Sequence, residues 1–526
     1  MQAVERRFER VGDGDAVEVG PDQVGGAVDG GDDGSETASD EVVGDAATEG
    51  AEADVNEAEH GRSKLVGERC GVEERVRAGN GSNAVAPRIG PGALGRAADN
   101  GAMKTTLGWF VLVVGLASVL VVSPSSGAGS ADLAPNGVRP PAGAREVARV
   151  LCGIDALERA RFAPLADARV GLITNHTGLT RDGRRTVDVL RAAPSVDLVA
   201  LFSPEHGFEG TLDQEGIEDT TDGASGLRVF SLYGETRRPT AAMLEGVDVL
   251  VFDVQDVGCR FYTYVSTMGL ALEAAAEHGV RFVVLDRPNP IGGRVEGPLL
   301  DEGAESFVGF HRVCVRHGMT VGELARMFVA ERGLEVELEV VEVEGWERAM
   351  LWSDTDLVFT APSPNLRRLS QALLYPGVGL LEFTNVSVGR GTDTPFERIG
   401  APWIDGAAWA RALRGPGVMG VEGVTFTPVR FTPSSSVFAG EACEGLDLFV
   451  TDWDAVRPVE LGLALAKTLR STFGEDWDDQ RFDRLLGDRT TLTDLRRGTL
   501  LYVTLARWRS EQAAFEVRRA PHLLYD

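Results

Sequence analysis

Carboxylates, amides, an imidazole and phenols follow four short apolar runs of this 526-residue chain, and these side-chain types can perform acid–base chemistry. The residues concerned are Asn175, Glu205, His206, Asp253, Asp256, Arg260, Tyr262, Tyr264, Asn289 and Glu296. Such a set suits glycoside cleavage, which needs a protonated carboxylic acid at the leaving oxygen and hydrogen bonds to sugar hydroxyls. Glu205, between Pro204 and His206, is our candidate for that acid.

The elements that must position these groups alternate between short apolar strands and helices. Strands are predicted at 169–174, 198–202, 247–252 and 281–285, and helices at 184–192, 240–244, 268–277 and 321–331, with Gly279 as a helix C-cap. Apolar strands separated by helices are typical of a parallel sheet covered on both faces. Ligands bind such sheets outside the carboxyl ends of the strands, so the polar groups should converge at one edge.

Several other functional classes lack their sequence signals. No glycine-rich phosphate loop, no G-x-S-x-G elbow and no H-E-x-x-H motif is present, and the only lysines are Lys64, Lys104 and Lys467. The net charge of −28 argues against a nucleic-acid partner. The five cysteines show neither a C-x-x-C pair nor zinc-ligand spacing, and we expect no metal and no cofactor.

The first part of the chain carries signals of processing rather than of folding. Residues 1–102 are acidic and poor in aromatic side chains, which predicts disorder and a mis-called start of the chain. Residues 103–128 combine Lys104, an apolar run and a small-residue stretch, the pattern of a signal peptide. A linker is predicted at 129–144. The protein is thus expected to be secreted or periplasmic, without a stable membrane span after signal removal.

Beyond position 376 the pattern becomes mixed, with scattered tryptophans, which predicts a second α+β domain at 376–526 after a first domain at 145–375. Several long motifs also occur in one order along the chain. They are GLITNHTG at 171–178, SPEHG at 203–207, SLYG at 231–234, VFDVQDVG at 251–258, RFYTY at 260–264, LDRPNP at 285–290, RHGMT at 316–320, PSPN at 362–365 and GRGT at 389–392. On these motifs the chain, from about 153 to 525, resembles the domain of unknown function 1343 family of exo-β-N-acetylmuramidases of the NamZ type.

The resemblance implies a Rossmann-like first domain, a smaller second domain and a cleft between them. It implies release of N-acetylmuramic acid from the non-reducing end of peptidoglycan-derived glycan, with the glutamate of the SPEHG motif, Glu205, as the catalytic residue. Either Arg260 or Arg390 would receive the lactyl carboxylate, since arginine suits planar bidentate recognition. The other expected substrate-binding residues are Asn175, His206, Tyr262, Tyr264, Asn289, Glu296 and His317.

One position departs from the family pattern, and the second catalytic group stays open. Many family members have a glutamate where this chain has Val388, which puts the sugar preference in question. Asp253, Asp256 or Glu296 could be the second group, or the acetamido group of the substrate could take its place. Two other functions remain: a metal-assisted esterase or deacetylase built on Glu205, His206, Asp253 and Asp256, and a non-catalytic binding protein for cell-wall sugars. His317 could also simply cap the following helix.

Overall fold

The computed structural model describes residues 147–526, so the predicted N-terminal segment, signal peptide and linker lie outside the described residues. The strands are β1 Ala168–Thr174, β2 Val196–Ser203, β3 Thr220–Thr221, β4 Arg228–Ser231, β5 Val249–Asp253, β6 Arg281–Leu285, β7 Glu296–Leu299, β8 Cys314–Arg316, β9 Leu338–Val341, β10 Arg398–Ala401, β11 Val424–Phe431 and β12 Cys443–Val450. The helices are α1 Gly153–Arg159, α2 Thr186–Ala192, α3 Tyr264–His278, α4 Val321–Arg332, α5 Leu369–Val378, α6 Gly406–Leu413, α7 Pro458–Phe473, α8 Asp483–Leu486, α9 Arg489–Arg497 and α10 Leu501–Arg519.

The first part of the fold is a seven-stranded sheet in the order β3-β4-β2-β1-β5-β6-β9. Its strands run parallel except for β3, which is antiparallel to β4. The antiparallel hairpin β7-β8 is inserted between β6 and β9, and an antiparallel sheet in the order β10-β12-β11 follows with further helices. The predicted class, a Rossmann-like parallel sheet followed by an α+β part, is confirmed.

Both faces of the parallel sheet are buried, which explains its continuous apolar strands. On β1, Leu172 packs into the hydrophobic core of one face, and the next residue, Ile173, packs into the core of the other. On β5, Val251 and Phe252 divide in the same way. Successive side chains of a strand point to opposite faces, so a strand covered twice has no polar positions to spare.

Most of the predicted elements are present. The strand at 281–285 has the predicted bounds, and the helix at 268–277 is longer, reaching from Tyr264 to His278 with Gly279 at a φ of 66° as its C-cap. The predicted helix at 240–244 is wrong: a single hydrogen-bonded turn stands there, with the amide of Leu244 donating to the carbonyl of Thr240 at 3.1 Å. Pro239 precedes it and Gly246 follows with a φ of 78°, so no further helical turn can form.

Two glycines let the helices of the two parts approach closely. A Cβ atom on Gly377 of α5 would lie 1.7 Å from the carbonyl oxygen of Pro458, and one on Gly462 of α7 would lie 2.5 Å from the oxygen of Gly377. Helix α5 also spans the predicted domain boundary at 375/376. Within residues 147–526, no helix combines the length and the apolar composition required to cross a membrane.

Candidate functional site

The strand order creates a crevice at β1. Strand β2 lies on one side of β1 and β5 lies on the other. The chain leaves β1 towards β2 and later crosses back to β5, so the connections on the two sides run in opposite directions and open a gap at the carboxyl end of β1. Asn175 directly follows β1, Glu205 follows β2 and Asp256 follows β5. Near these strand ends, the Asn175 amide donates to the hydroxyl of Tyr264 at 3.0 Å. The structure therefore brings most of the predicted polar groups to one edge.

Glu205 is held by the hydroxyl of Thr263 and is only half-buried. Thr263, the residue before α3, donates to Oε2 of Glu205. Tyr233 lies near the same carboxylate, and burial together with the charge of Glu205 raises the pKa of its phenol. His206 adopts a φ of 71° and its Nδ1 lies 2.7 Å from the carbonyl oxygen of Leu212, which fixes the turn that carries Glu205. The Thr263 hydroxyl can rotate to accept a hydrogen bond from a protonated carboxyl, so it can orient Glu205 in either protonation state.

Two phenols packed edge to face and one amide lie near Glu205. The Asn175 side-chain oxygen accepts from the amide of Thr177 at 2.9 Å, and the hydroxyl of Tyr264 donates to the carbonyl of Pro362 at 2.6 Å. The rings of Tyr262 and Tyr264 have centroids 4.7 Å apart. Burial raises the pKa of both phenols, and the charge of Glu205 adds to the effect at Tyr264. Both phenols are therefore neutral hydrogen-bonding groups.

Asp256 and His317 form a buried pair in which the imidazole is neutral. Asp256 accepts from the amide of Gly258 at 2.7 Å through Oδ2, while its Oδ1 has no partner within residues 147–526. Burial raises the pKa of Asp256 to about 7 and lowers the pKa of His317 to about 3, so the imidazole is neutral. The 3.8 Å between Asp256 Oδ2 and His317 Nε2 is therefore a contact rather than an ion pair. Thr320 and Glu323, not His317, cap α4.

Asp253 lies beneath the edge of the sheet, and its oxygens are occupied. The Arg287 guanidinium pairs with it, with Nη2 donating to Oδ2 at 3.0 Å, and the hydroxyl of Thr186 at the start of α2 donates to the same oxygen at 2.5 Å. The Asp253 side chain is fully buried. This environment fits an anchor for β5 and α2 better than a group that exchanges protons with substrate.

Three other predicted substrate-binding residues use their polar atoms in bonds within the protein. The Arg260 guanidinium is 1% exposed and donates to four main-chain carbonyls, those of Pro298, Val313, Leu485 and Leu486. Glu296 is buried in an ion pair with Arg316. Asn289 donates to the carbonyl of Met319 at 3.0 Å and accepts from the amide of Ile291 at 3.1 Å. Their bonds are those of structural residues.

Arg390 stands at the rim of the site, where the second part of the chain meets a loop of the first. Its Nε donates to Glu382 at 2.5 Å, and its Nη1 lies 3.4 Å from Asp213. Asp213 also accepts from the amide of Asn365 at 2.8 Å. A polar cavity of about 650 Å³ adjoins this rim. Val388, at the position of the family glutamate, is 4% exposed and packs in the core, so it contributes no polar group here.

Sequence reasoning missed three residues near Glu205. Thr263 donates a hydrogen bond to Glu205, Tyr233 lies near it, and Arg237 stacks on Tyr233. Tyr233 follows β4, a strand of four residues that was not predicted. A prediction of β4 would have flagged Tyr233 by the same strand-end rule that flagged Asn175 and Glu205. Arg237 lies in an irregular segment, so only its neighbourhood to the SLYG motif could have pointed to it.

In the part of the chain from 147 onward, no three His, Cys, Asp or Glu side chains are grouped so that they could hold a metal ion. The set proposed for a metal-assisted esterase is divided, since His206 turns Nδ1 to a carbonyl and Asp253 pairs with Arg287. The four cysteines in this part are buried and unpaired.

Comparison with known proteins places this geometry in one family. Residues 170–370 match the model "Exo-beta-N-acetylmuramidase NamZ, N-terminal" and residues 373–525 match "Exo-beta-N-acetylmuramidase NamZ, C-terminal". The peptidoglycan β-N-acetylmuramidase NamZ of Bacillus subtilis (strain 168) is 41% identical over 382 residues, covering 72% of this chain and 92% of that protein.

Two crystal structures of DUF1343 family proteins from Bacteroides fragilis NCTC 9343 share the fold. One superposes with a TM-score of 0.67 at 35% identity, covering 73% of this chain and 100% of the other. The second superposes with a TM-score of 0.59 at 30% identity, covering 72% of this chain and 99% of the other. Both pairs share enough sequence to indicate common descent as well as a common fold.

Proposed function

Because the chain belongs to the NamZ family of exo-β-N-acetylmuramidases, we propose that it removes N-acetylmuramic acid from the non-reducing end of peptidoglycan glycans, with Glu205 as the general acid. The observation that supports this role is the environment of Glu205: a half-buried carboxyl at the crevice, oriented by the hydroxyl of Thr263, with the phenol of Tyr233 nearby. A carboxyl so held can deliver its proton to the glycosidic oxygen as the bond to the sugar breaks.

For the second catalytic group, the contacts favour Asp256 over Asp253. Asp253 is fully buried and paired with Arg287, whereas Oδ1 of Asp256 has no partner within residues 147–526. A carboxyl whose pKa is raised to about 7 also exchanges its proton readily near neutral pH. Asp256 can therefore position the acetamido group of the substrate or activate water. Release of the product outside the cytoplasm is part of the proposal, and its support is the signal-peptide pattern at 103–128.

The experiment that tests the proposal follows the products released by the full chain from peptide-free peptidoglycan glycans. An exo-acting muramidase releases N-acetylmuramic acid one unit at a time, and the remaining glycan then carries N-acetylglucosamine at its non-reducing end. Release of disaccharides or longer internal fragments would contradict the exo mode. Saturable binding of the glycan without any product would instead establish the alternative of a sugar-binding protein, and loss of turnover on chelation would favour the metal-assisted one.

A further inference from the structure

Arg237 is a guanidinium beside Glu205 that has no acidic partner. Its Cζ lies 3.6 Å from the ring centroid of Tyr233 and 4.6 Å from that of Phe307, so the cation contacts both aromatic rings. Among residues 147–526 no carboxylate forms an ion pair with it, and the side chain is half-exposed. Arg237 and Glu205 both interact with the phenol of Tyr233, so the guanidinium and the proposed acid lie beside the same side chain.

The other arginines that could serve the site are already neutralised. Arg390 pairs with both Glu382 and Asp213, and Arg238, the neighbour of Arg237, pairs with Glu277. Arg260 is enclosed by main-chain carbonyls. The Arg237 guanidinium lies against the Tyr233 ring, and a planar guanidinium presents several N–H donors in a fork that matches a carboxylate, so donors remain for bidentate carboxylate recognition.

We propose that Arg237, in contact with the rings of Tyr233 and Phe307, is a carboxylate-binding subsite that receives the lactyl group of the muramic acid unit whose glycosidic bond Glu205 protonates. The inference rests on the proposed function and extends it, because it assigns the selection of muramic acid over N-acetylglucosamine to one side chain. These two sugars differ by the lactyl ether on C3, and its carboxylate is the only charge in that difference. A half-exposed, unpaired guanidinium next to the acid supplies the complementary charge.

The test compares two substrates that differ only in this charge, the 4-nitrophenyl β-glycoside of N-acetylmuramic acid and the same glycoside with its lactyl carboxylate as the methyl ester. In the full chain, Arg237→Met keeps an unbranched apolar side chain against the two rings but removes the guanidinium. We expect kcat/KM for the acid to fall by about 10- to 100-fold, the range of a charge-assisted hydrogen-bonded pair, while the ester is hydrolysed at an almost unchanged rate. Arg238→Met, the matched control, should change neither rate.

Three outcomes overturn the inference and are distinguishable from failure of the proposed function. An equal loss on acid and ester would mean that Arg237 acts through Tyr233 and Glu205 rather than on the carboxylate. An unchanged rate on the acid would mean that another group binds the lactyl carboxylate. If the parent hydrolyses neither glycoside, the proposed function fails, and titration with free N-acetylmuramic acid and N-acetylglucosamine still decides: the inference predicts a preference for the former in the parent that Arg237→Met abolishes, and no such preference contradicts it.

Discussion

At the scale of single residues, the carboxylates of the site fall into different environments. Glu205 is half-buried and accepts a hydrogen bond from the hydroxyl of Thr263. Asp253 is buried in an ion pair with Arg287, whereas Asp256 is buried without an opposing charge. Burial without a counter-charge favours the protonated form, whereas a partner cation favours the ionised form. The same side-chain type can therefore serve as proton donor, anchor or near-neutral acid at one sheet edge.

The raised pKa of Asp256 has a consequence for stability. Asp256 has its ordinary pKa of 3.8 in the unfolded chain but a pKa of about 7 in the folded protein, so the folded state binds more protons between these pH values. The contribution of Asp256 to the free energy of unfolding should fall as pH rises through this window, by up to about 1.4 kcal/mol per pH unit. Above about pH 7 it should be constant.

Asp256→Asn tests this, because the amide oxygen can still accept from Gly258 and carries no charge. The free energy of unfolding of the variant minus that of the parent, from urea titrations, should rise with pH through the window and then level off. His317, whose folded pKa is lowered to about 3, contributes stability that is lost as pH falls below its ordinary pKa of 6.5. That term is common to both proteins and cancels. A pH-independent difference would show that Asp256 titrates normally.

The residues that sequence reasoning placed best are those nearest a strand end. Asn175 and Glu205 follow strands directly, so the position of the strand fixes their location at the edge. Arg260 lies seven residues beyond the end of β5 at Asp253, so its side chain could face several surfaces. Its bonds to four carbonyls depend on chain segments that are distant in sequence. Arg237 is the converse case, because a lone arginine in an irregular segment gives no periodic signal.

At the scale of elements, local sequence patterns predicted the central strands and long helices because their apolar periods are sustained. The strand β4, with four residues, and the turn at 240–244 were missed or misassigned because segments this short do not establish a period. The joints between elements also follow from tertiary structure. Asp253 at the end of β5 binds both Arg287 after β6 and Thr186 at the start of α2, so one carboxylate joins three elements.

The joint at Asp253 yields a prediction about its role. Arg287→Met should lower the free energy of unfolding by about 3–5 kcal/mol, because it leaves a buried carboxylate without its counter-ion. Adding Asp253→Asn to Arg287→Met should restore part of that loss, since the remaining group is then neutral. Urea unfolding of the parent, the single variants and the double variant gives the coupling energy between the two sites. Equal destabilisation by the single and double variants would contradict a structural pair and return Asp253 to the list of catalytic candidates.

At the scale of the whole molecule, the end of the chain returns to its first part. Helix α10 contacts β7, where Glu511 accepts from the amide of Leu299 at 3.0 Å. The hydroxyl of Tyr525 donates to Asp286, just after β6, at 2.6 Å, so the C-terminal residues dock on the parallel sheet. A pattern along the sequence divides the chain in order, and it cannot reveal that the last segment packs on the first sheet. Such contacts depend on complementary surfaces and not on local periodicity.

Arg260 should act at this scale, as a tie between distant segments. It joins the carbonyls of Pro298 and Val313 to those of α8, so Arg260→Met should lower the free energy of unfolding by about 2–4 kcal/mol. Well below the unfolding temperature, the variant should keep the kcat/KM of the parent. The control Arg430→Met removes an arginine whose side chain is 83% exposed and paired with Glu444, and it should cost less than about 1 kcal/mol. A stable Arg260 variant with impaired substrate binding would support the original prediction that Arg260 contacts substrate.

The central claim is that Glu205 donates the proton to the glycosidic oxygen, and the dependence of its variant on the leaving group tests it most directly. The full chain, Glu205→Gln and the exposed neighbour control Glu209→Gln are assayed on a peptide-free muramic acid–glucosamine disaccharide and on the 4-nitrophenyl glycoside. We predict that Glu205→Gln loses about 10²- to 10⁴-fold in kcat on the disaccharide, whose leaving group needs a proton, but far less on the nitrophenolate, which does not. Glu209→Gln should match the parent on both. An equal loss on both substrates, or none on the disaccharide, would contradict the assignment of Glu205 as general acid.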